Sequence, residues 1–176
     1  MTAATRAFVR PKVVLVGPPG AGKSTVGGRL ALALNCELVD SDELIVDAYG
    51  KRTGEVFSEL GEKRFREVET QFVRQALRTE GVVSLGGGAV ISPVNRAMLV
   101  GHTVVFIDVS AEEGTRRTAG DENRPVLHAA DPQERYRQLL AERGKFYKEV
   151  SGFRARTDGR SPHQVVGDIL GYLDTL

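Results

Sequence analysis

Lys12-Val-Val-Leu-Val-Gly17-Pro-Pro-Gly-Ala-Gly22-Lys23-Ser24 is the stretch from which the rest of the chain can be read. A short β-branched strand, Val13–Val16, runs into Gly17-x4-Gly22-Lys23-Ser24, and a helical segment follows. This is the pattern of a phosphate-binding loop. Glycines allow the main chain to turn tightly, so that successive N–H groups of Gly20, Ala21, Gly22, Lys23, Ser24 and Thr25 converge on phosphate oxygens. The helix that follows aims the positive end of its dipole at the same point. Lys23 can reach the β- and γ-phosphates, and the Ser24 hydroxyl can ligate Mg²⁺. A turn that merely joins strand to helix needs neither the lysine nor the hydroxyl.

Around this loop the composition is that of an ordinary globular chain. It has 176 residues, of which 41% are hydrophobic and 27% charged, enough for one domain with its own core. A formal charge of +1 argues against a nucleic-acid or membrane surface. The single cysteine, Cys36, has no internal partner for a disulfide, which fits a cytoplasmic protein. Residues 1–10 lack the apolar run of a signal peptide and read as a flexible tail, leaving 11–176 as the domain.

Strand-like and helix-like segments alternate along that domain. Strands are expected at Val13–Val16, Leu38–Val39, Val82–Leu85 and Thr103–Val109, with a fifth at Phe153–Arg156 weakened by Arg154 and Arg156. Helices are expected between them, for example Ser24–Leu34 and Asp42–Tyr49. The clearest has Phe65, Val68, Phe72, Val73, Ala76 and Leu77 on one face. Repeated β-then-α units predict a mainly parallel sheet with helices on both faces and ligands beyond the carboxyl ends of the strands. The polar run at 119–130, with Arg124-Pro125 in its middle, reads as a mobile lid beside a nucleotide.

Four further groups carry chemistry, each with a plainer alternative. Asp40 and Asp42 end the second strand, where acids can meet Mg²⁺ or take a proton from a hydroxyl; Asp40 or Ser41 can equally cap a helix. Arg66 and Glu69 stand at i, i+3, offset from the apolar face. Arg66 is suited to gripping a carboxylate, but a solvated ion-pair face is the commoner outcome for such a pair. Gly86-Gly87-Gly88 follows a buried strand and suits close approach of a ligand to the main chain, or a simple bend. Arg117, Arg124 and Arg143 are candidate clamps for phosphate or substrate. His102, His128 and His163 show no metal-ligand spacing, and no nucleophile elbow or Cys/His cluster is present.

In order along the chain, these pieces resemble the shikimate kinase family of P-loop enzymes. The resemblance rests on Val-Asp-Ser-Asp at 39–42, Phe57 with Gly-Glu-Lys-Arg-Phe-Arg-Glu-Val-Glu at 61–69, Ser-Leu-Gly-Gly-Gly-Ala-Val at 84–90, Asn-Arg-Pro-Val-Leu at 123–127 and Glu-Arg-Gly-Lys-Phe-Tyr at 142–147. It implies a three-layer α/β/α fold of P-loop kinase type, with a five-stranded parallel sheet in order 2-3-1-4-5. It implies substrate-binding helices at about 41–80 and transfer of phosphate from ATP to the 3-hydroxyl of shikimate, by a cytoplasmic monomer that binds neither nucleic acid nor membrane. By matching position, Lys23 and Ser24 would serve the ATP phosphates and Mg²⁺, and Asp40 would hold Mg²⁺ through water. Asp42 would bind the shikimate hydroxyls. Arg66 and Arg143 would clamp its carboxylate, with Glu69 orienting Arg66. Gly87 and Gly88 would lie against the ring, and Phe57 and Phe65 would form apolar walls. Arg124 would meet the transferring phosphate, while Arg117, Arg160 and Pro162 would lie along the adenine. Thr53 stands where members often have an aliphatic residue. A kinase of another small polyhydroxy acid such as gluconate, or a P-loop module without turnover, shares part of this pattern.

Overall fold

Val13–Val16 forms β1, and every one of its residues is buried. Val13 and Leu15 enter one core and Val14 and Val16 another, as the two-residue period of a strand requires. A strand covered on both faces has no polar side to show, so its sequence is a continuous apolar run. The computed structural model of the protein describes residues 8–121 and 129–176. Within them β1 pairs in parallel with β3 (Val82–Ser84) and β4 (Val104–Asp108), and β2 (Leu38–Asp40) and β5 (Phe153–Arg156) complete the sheet. The order is β2-β3-β1-β4-β5.

The first core is closed by α1 (Lys23–Ala33) and α8 (Pro162–Leu173), through Val26, Leu30, Val165, Val166 and Ile169. The second is closed by α4 (Glu62–Ala76) and α5 (Pro93–Leu99), through Val73, Ala76 and Leu99. A smaller apolar cluster of Ile45, Val56 and Phe65 ties α2 (Ser41–Tyr49) and α3 (Thr53–Leu60) to α4. The remaining helices, α6 (Ala111–Thr118) and α7 (Pro132–Val150), lie on either side of the segment read as a lid, of which 122–128, including Arg124 and His128, fall outside the described residues. Expected and observed element boundaries agree to within a residue or so, with β3 ending at Ser84 and β4 spanning Val104–Asp108.

Local chemistry sets the helix starts. Ser92, Ser110, Asp131 and Ser161 each accept a hydrogen bond from the main chain of the first turn of α5, α6, α7 and α8, and Pro follows Ser92, Asp131 and Ser161 at the first helical position. The charged edge strand β5 also finds its reason. Phe153 and Ala155 face the core, while Arg154 and Arg156 share the opposite face with Asp108 of β4. Arg154 donates to Asp108 at 2.7 Å and Arg156 stands 3.7 Å from it. Two arginines thus neutralise an acid that is only 5% exposed. Among the described residues no helix is long and apolar enough to cross a membrane.

Candidate active site

The carboxyl ends of β1, β2 and β3 lie side by side, and each delivers one part of a single cleft. At the end of β1 the chain turns through Gly22, whose φ of 97° is open to glycine at little cost. Gly22 precedes α1 with no side-chain cap, and the first turn of α1 contains no acid. The first N–H groups of that helix therefore remain for a ligand. Lys23 bends back over the loop, and its Nζ donates to the carbonyls of Gly17 (2.7 Å) and Pro18 (2.9 Å).

Asp40, at the end of β2, does two things at once. Its Oδ1 accepts from the N–H groups of Asp42 and Glu43 and so caps α2. Its Oδ2 accepts from the Ser24 hydroxyl at 2.9 Å. Oxygen donors of this kind suit Mg²⁺. Among the described residues no group of three or more His, Cys, Asp or Glu side chains could hold a metal, so an ion here would take its other ligands from nucleotide and water. A cavity of about 160 Å³ is lined by Gly20, Gly22, Lys23, Ser24, Thr25, Asp40, Asp42 and Gly87, among others.

Asp42 joins this corner to the next. A Cβ placed on Gly86 would sit 2.5 Å from Asp42 Oδ1 and 3.2 Å from Glu69 Oε2. One placed on Gly87 would meet Pro19 at 3.0 Å, and one on Gly88 would overlap the Arg66 guanidinium. The three glycines are thus bare because the site's own side chains and phosphate loop need the space. The solvated reading of Arg66 and Glu69 does not hold: the side chains are 16% and 2% exposed and their ion pair is 2.8 Å long. Lys63, Arg64, Glu67 and Arg74 on the same helix are the solvated ones. Phe57 and Phe65 meet edge to face at 5.3 Å, with the Arg66 guanidinium within 6 Å of both rings. Arg143, on α7, is 6% exposed, and its charge reaches Glu69. The Nε of Arg66 and that of Arg143 are buried with no hydrogen-bond partner among the described residues. Guanidinium groups with such unused donors are chemically suited to a carboxylate. Thr53 donates its hydroxyl to the Asp42 carbonyl at 3.3 Å, which gives this polar residue a local role.

Burial pushes the Glu69 carboxyl up to about 7 from an ordinary 4.5, against the pull of Arg66. A carboxyl raised on folding contributes fully to stability below about 4.5, and the contribution is lost as pH climbs through about 7. Glu69→Gln does not titrate. The stability of the wild type relative to that variant, from urea unfolding, should therefore decline steadily between about pH 4.5 and 7 and level off above. A difference that is flat over that window would mean Glu69 is ionised throughout it.

The third part of the cleft lies beyond α1. Arg117 donates to the carbonyls of Gly20 and Ala21 (3.3 Å each) and to the Thr157 hydroxyl (3.0 Å), clasping the phosphate loop to the segment after β5. With Arg160, Pro162, Thr157, Thr25 and Val165 it lines a cavity of about 270 Å³. Arg160 is exposed and paired with Asp168 at 2.5 Å. Sequence reasoning missed Thr157, because a lone threonine after an edge strand carries no signal. His102 and His163 lie apart from the cleft's lining residues.

Comparison with known proteins points the same way. The family described as shikimate kinase matches residues 19–174. The shikimate kinase of Corynebacterium efficiens is 63% identical, over 95% of this chain and 99% of its own length. That of Mycobacterium tuberculosis is 49% identical over 93% of each chain. A shikimate kinase from Acinetobacter baumannii, solved in complex with shikimate, superposes with a TM-score of 0.90 at 34% identity, over 95% of this chain and 94% of that one. A gluconokinase from Sinorhizobium meliloti shares the fold, with a TM-score of 0.64 at 20% identity. The match in sequence spans nearly the whole chain, and the match in structure takes in the helices that build the two-arginine pocket, so the chain belongs to the shikimate kinase family.

Proposed function

We propose that this protein transfers the γ-phosphoryl group of ATP to the 3-hydroxyl of shikimate, releasing ADP and shikimate 3-phosphate. The observation that carries the reading is the position of Asp42, which lines the phosphate-loop cavity and also stands across Gly86 from Glu69 and its two arginines. A hydroxyl held at Asp42 is thus within reach of a phosphate held at Lys23, while a carboxylate on the same small molecule meets Arg66 and Arg143. Phosphoryl transfer asks mainly for alignment and charge neutralisation, and this arrangement supplies both.

Lys23 leaves the carbonyls of Gly17 and Pro18 for the phosphates. Asp42 orients the attacking hydroxyl and accepts its proton. Gly87 and Gly88 bring the main chain against the ring, and Phe57 and Phe65 wall its apolar side. Arg117, Arg160 and Pro162 flank the adenine. Ser24 directly, and Asp40 through water, would hold Mg²⁺, which when bound offsets charge on the phosphates. Arg124 completes the assignment by its place in the sequence motif alone. The single cysteine and near-zero net charge favour a cytoplasmic monomer acting on small solutes.

A coupled ADP-release assay tests the assignment. Shikimate should support turnover, whereas gluconate and nucleoside monophosphates should not rise above the background hydrolysis of ATP. Turnover with gluconate alone would reassign the acceptor, and ADP release with none of the acceptors would make the chain a binding module.

A further inference from the structure

Helix α7 presents Tyr136, Arg143 and Tyr147 at i, i+7 and i+11, which places all three on one side of the helix over about 16 Å. Both tyrosines have no exposed surface. The Tyr136 ring sits in the first core and the Tyr147 ring in the second, so α7 takes part in both. Each hydroxyl has a specific destination. Tyr136 Oη donates to the carbonyl of Pro19 in the phosphate loop at 2.5 Å. Tyr147 Oη donates to the carbonyl of Gly87 in the glycine loop, also at 2.5 Å. These carbonyls belong to loops that touch: a Cβ on Gly87 would lie 3.0 Å from Pro19 Cδ and 3.2 Å from Pro19 N.

Neither ring has room to adjust. Tyr136 packs so closely on Gly114 of α6 that a Cβ there would overlap it. Tyr147 stacks on Phe106 of β4, with centroids 5.1 Å apart and planes at 25°. Filling these cores would need only phenylalanine, and a buried hydroxyl is costly unless it is hydrogen-bonded. Burial pushes the Tyr147 phenol up to about 12, with Arg143 pulling the other way, so the group is a proton donor at any working pH.

We propose that Tyr136 and Tyr147 are positioning residues that set the spacing between the two loops, Tyr136 on the nucleotide side and Tyr147 on the acceptor side. The inference rests on the assignment of these loops to ATP and shikimate made above. Its basis is geometric: one rigid helix holds one carbonyl from each loop where the loops abut, and carries the buried arginine of the acceptor pocket between its two anchors. In-line transfer tolerates little error in that spacing.

Steady-state kinetics of Tyr147→Phe, Tyr136→Phe, Leu99→Ala and Arg143→Ala test it, with thermal unfolding recorded for each. Tyr147→Phe should raise the KM for shikimate about tenfold and leave that for ATP within twofold. Tyr136→Phe should do the reverse, and kcat should fall in both. Leu99→Ala, a cavity in the same core as Tyr147, should lower the unfolding temperature and move neither KM. Tyrosine variants that lose stability with both KM values unchanged, or with both raised together, would overturn the proposal. For a variant too unstable to assay, the unfolding-temperature shift induced by shikimate or ADP alone gives the same split. Arg143→Ala separates the two levels: if it leaves the KM for shikimate unchanged, the acceptor assignment itself fails. If that KM rises and Tyr147→Phe does not follow, only the positioning role fails.

Discussion

Lys23→Ala should abolish phosphoryl transfer while leaving the fold intact. The side chain is half-buried at the mouth of the phosphate loop and packs into neither apolar core. Its ammonium donates to carbonyls of its own loop, at 2.7 and 2.9 Å. Removing it therefore takes charge from the site and little volume from the protein. Groups that stabilise developing charge in a water-excluded site are each worth about 3–4 kcal/mol, or 10²–10³ in kcat. A loss of that size or more is expected in ADP release at saturating ATP, with an unchanged far-ultraviolet circular dichroism spectrum. Lys23→Arg should recover only part of the activity, since a planar fork cannot follow the path of a compact ammonium. Turnover of Lys23→Ala within a few-fold of the wild type would remove this loop from the reaction.

Arg143→Ala should weaken shikimate binding far more than nucleotide binding. Arg143 is 6% exposed, so the charge it offers a carboxylate is hardly screened by water. Truncating one partner of a buried charge pair typically costs 2–5 kcal/mol, which corresponds to a loss of affinity of roughly 30- to 5,000-fold. Arg143→Lys should recover little, because lysine cannot make the two-pronged contact. Separate calorimetric titrations with shikimate and with ADP give the comparison. Normal shikimate binding with weakened ADP binding would mean that the two subsites are exchanged. The loss should be accompanied by a further rise in the Glu69 pKa, since Arg143 is one of the charges that hold that carboxyl down.

The phosphate loop was legible in the sequence because its chemistry is local: glycines, a lysine and a hydroxyl at set spacing, between a strand and a helix, act through contiguous main chain. The alternation of strands and helices was legible for the same reason, since burial on two faces or on one writes a period into the residues. Where a residue's role depends on partners distant in the chain, the sequence left alternatives open. Asp40 could be a helix cap or a metal-site acid, and in the structure one of its oxygens caps α2 while the other accepts from the Ser24 hydroxyl. The charges of β5 weaken the expectation of a strand there, and Asp108 beside them supplies their reason. Arg66 and Glu69 carry the same i, i+3 signature as any solvated pair. Only the packing of α4 against α2 and α3, with Arg143 brought in on α7, withdraws them from water.

What the sequence by itself determined is therefore the fold, the phosphate corner and, through the order of its motifs, the family. Tertiary structure alone decided which charged side chains are desolvated, which neighbours require Gly86-Gly87-Gly88 to be bare, and which carbonyls the hydroxyls of Tyr136 and Tyr147 hold. The physical reason is that desolvation and close approach belong to pairs of elements, and no single element carries a record of the surface that will cover it.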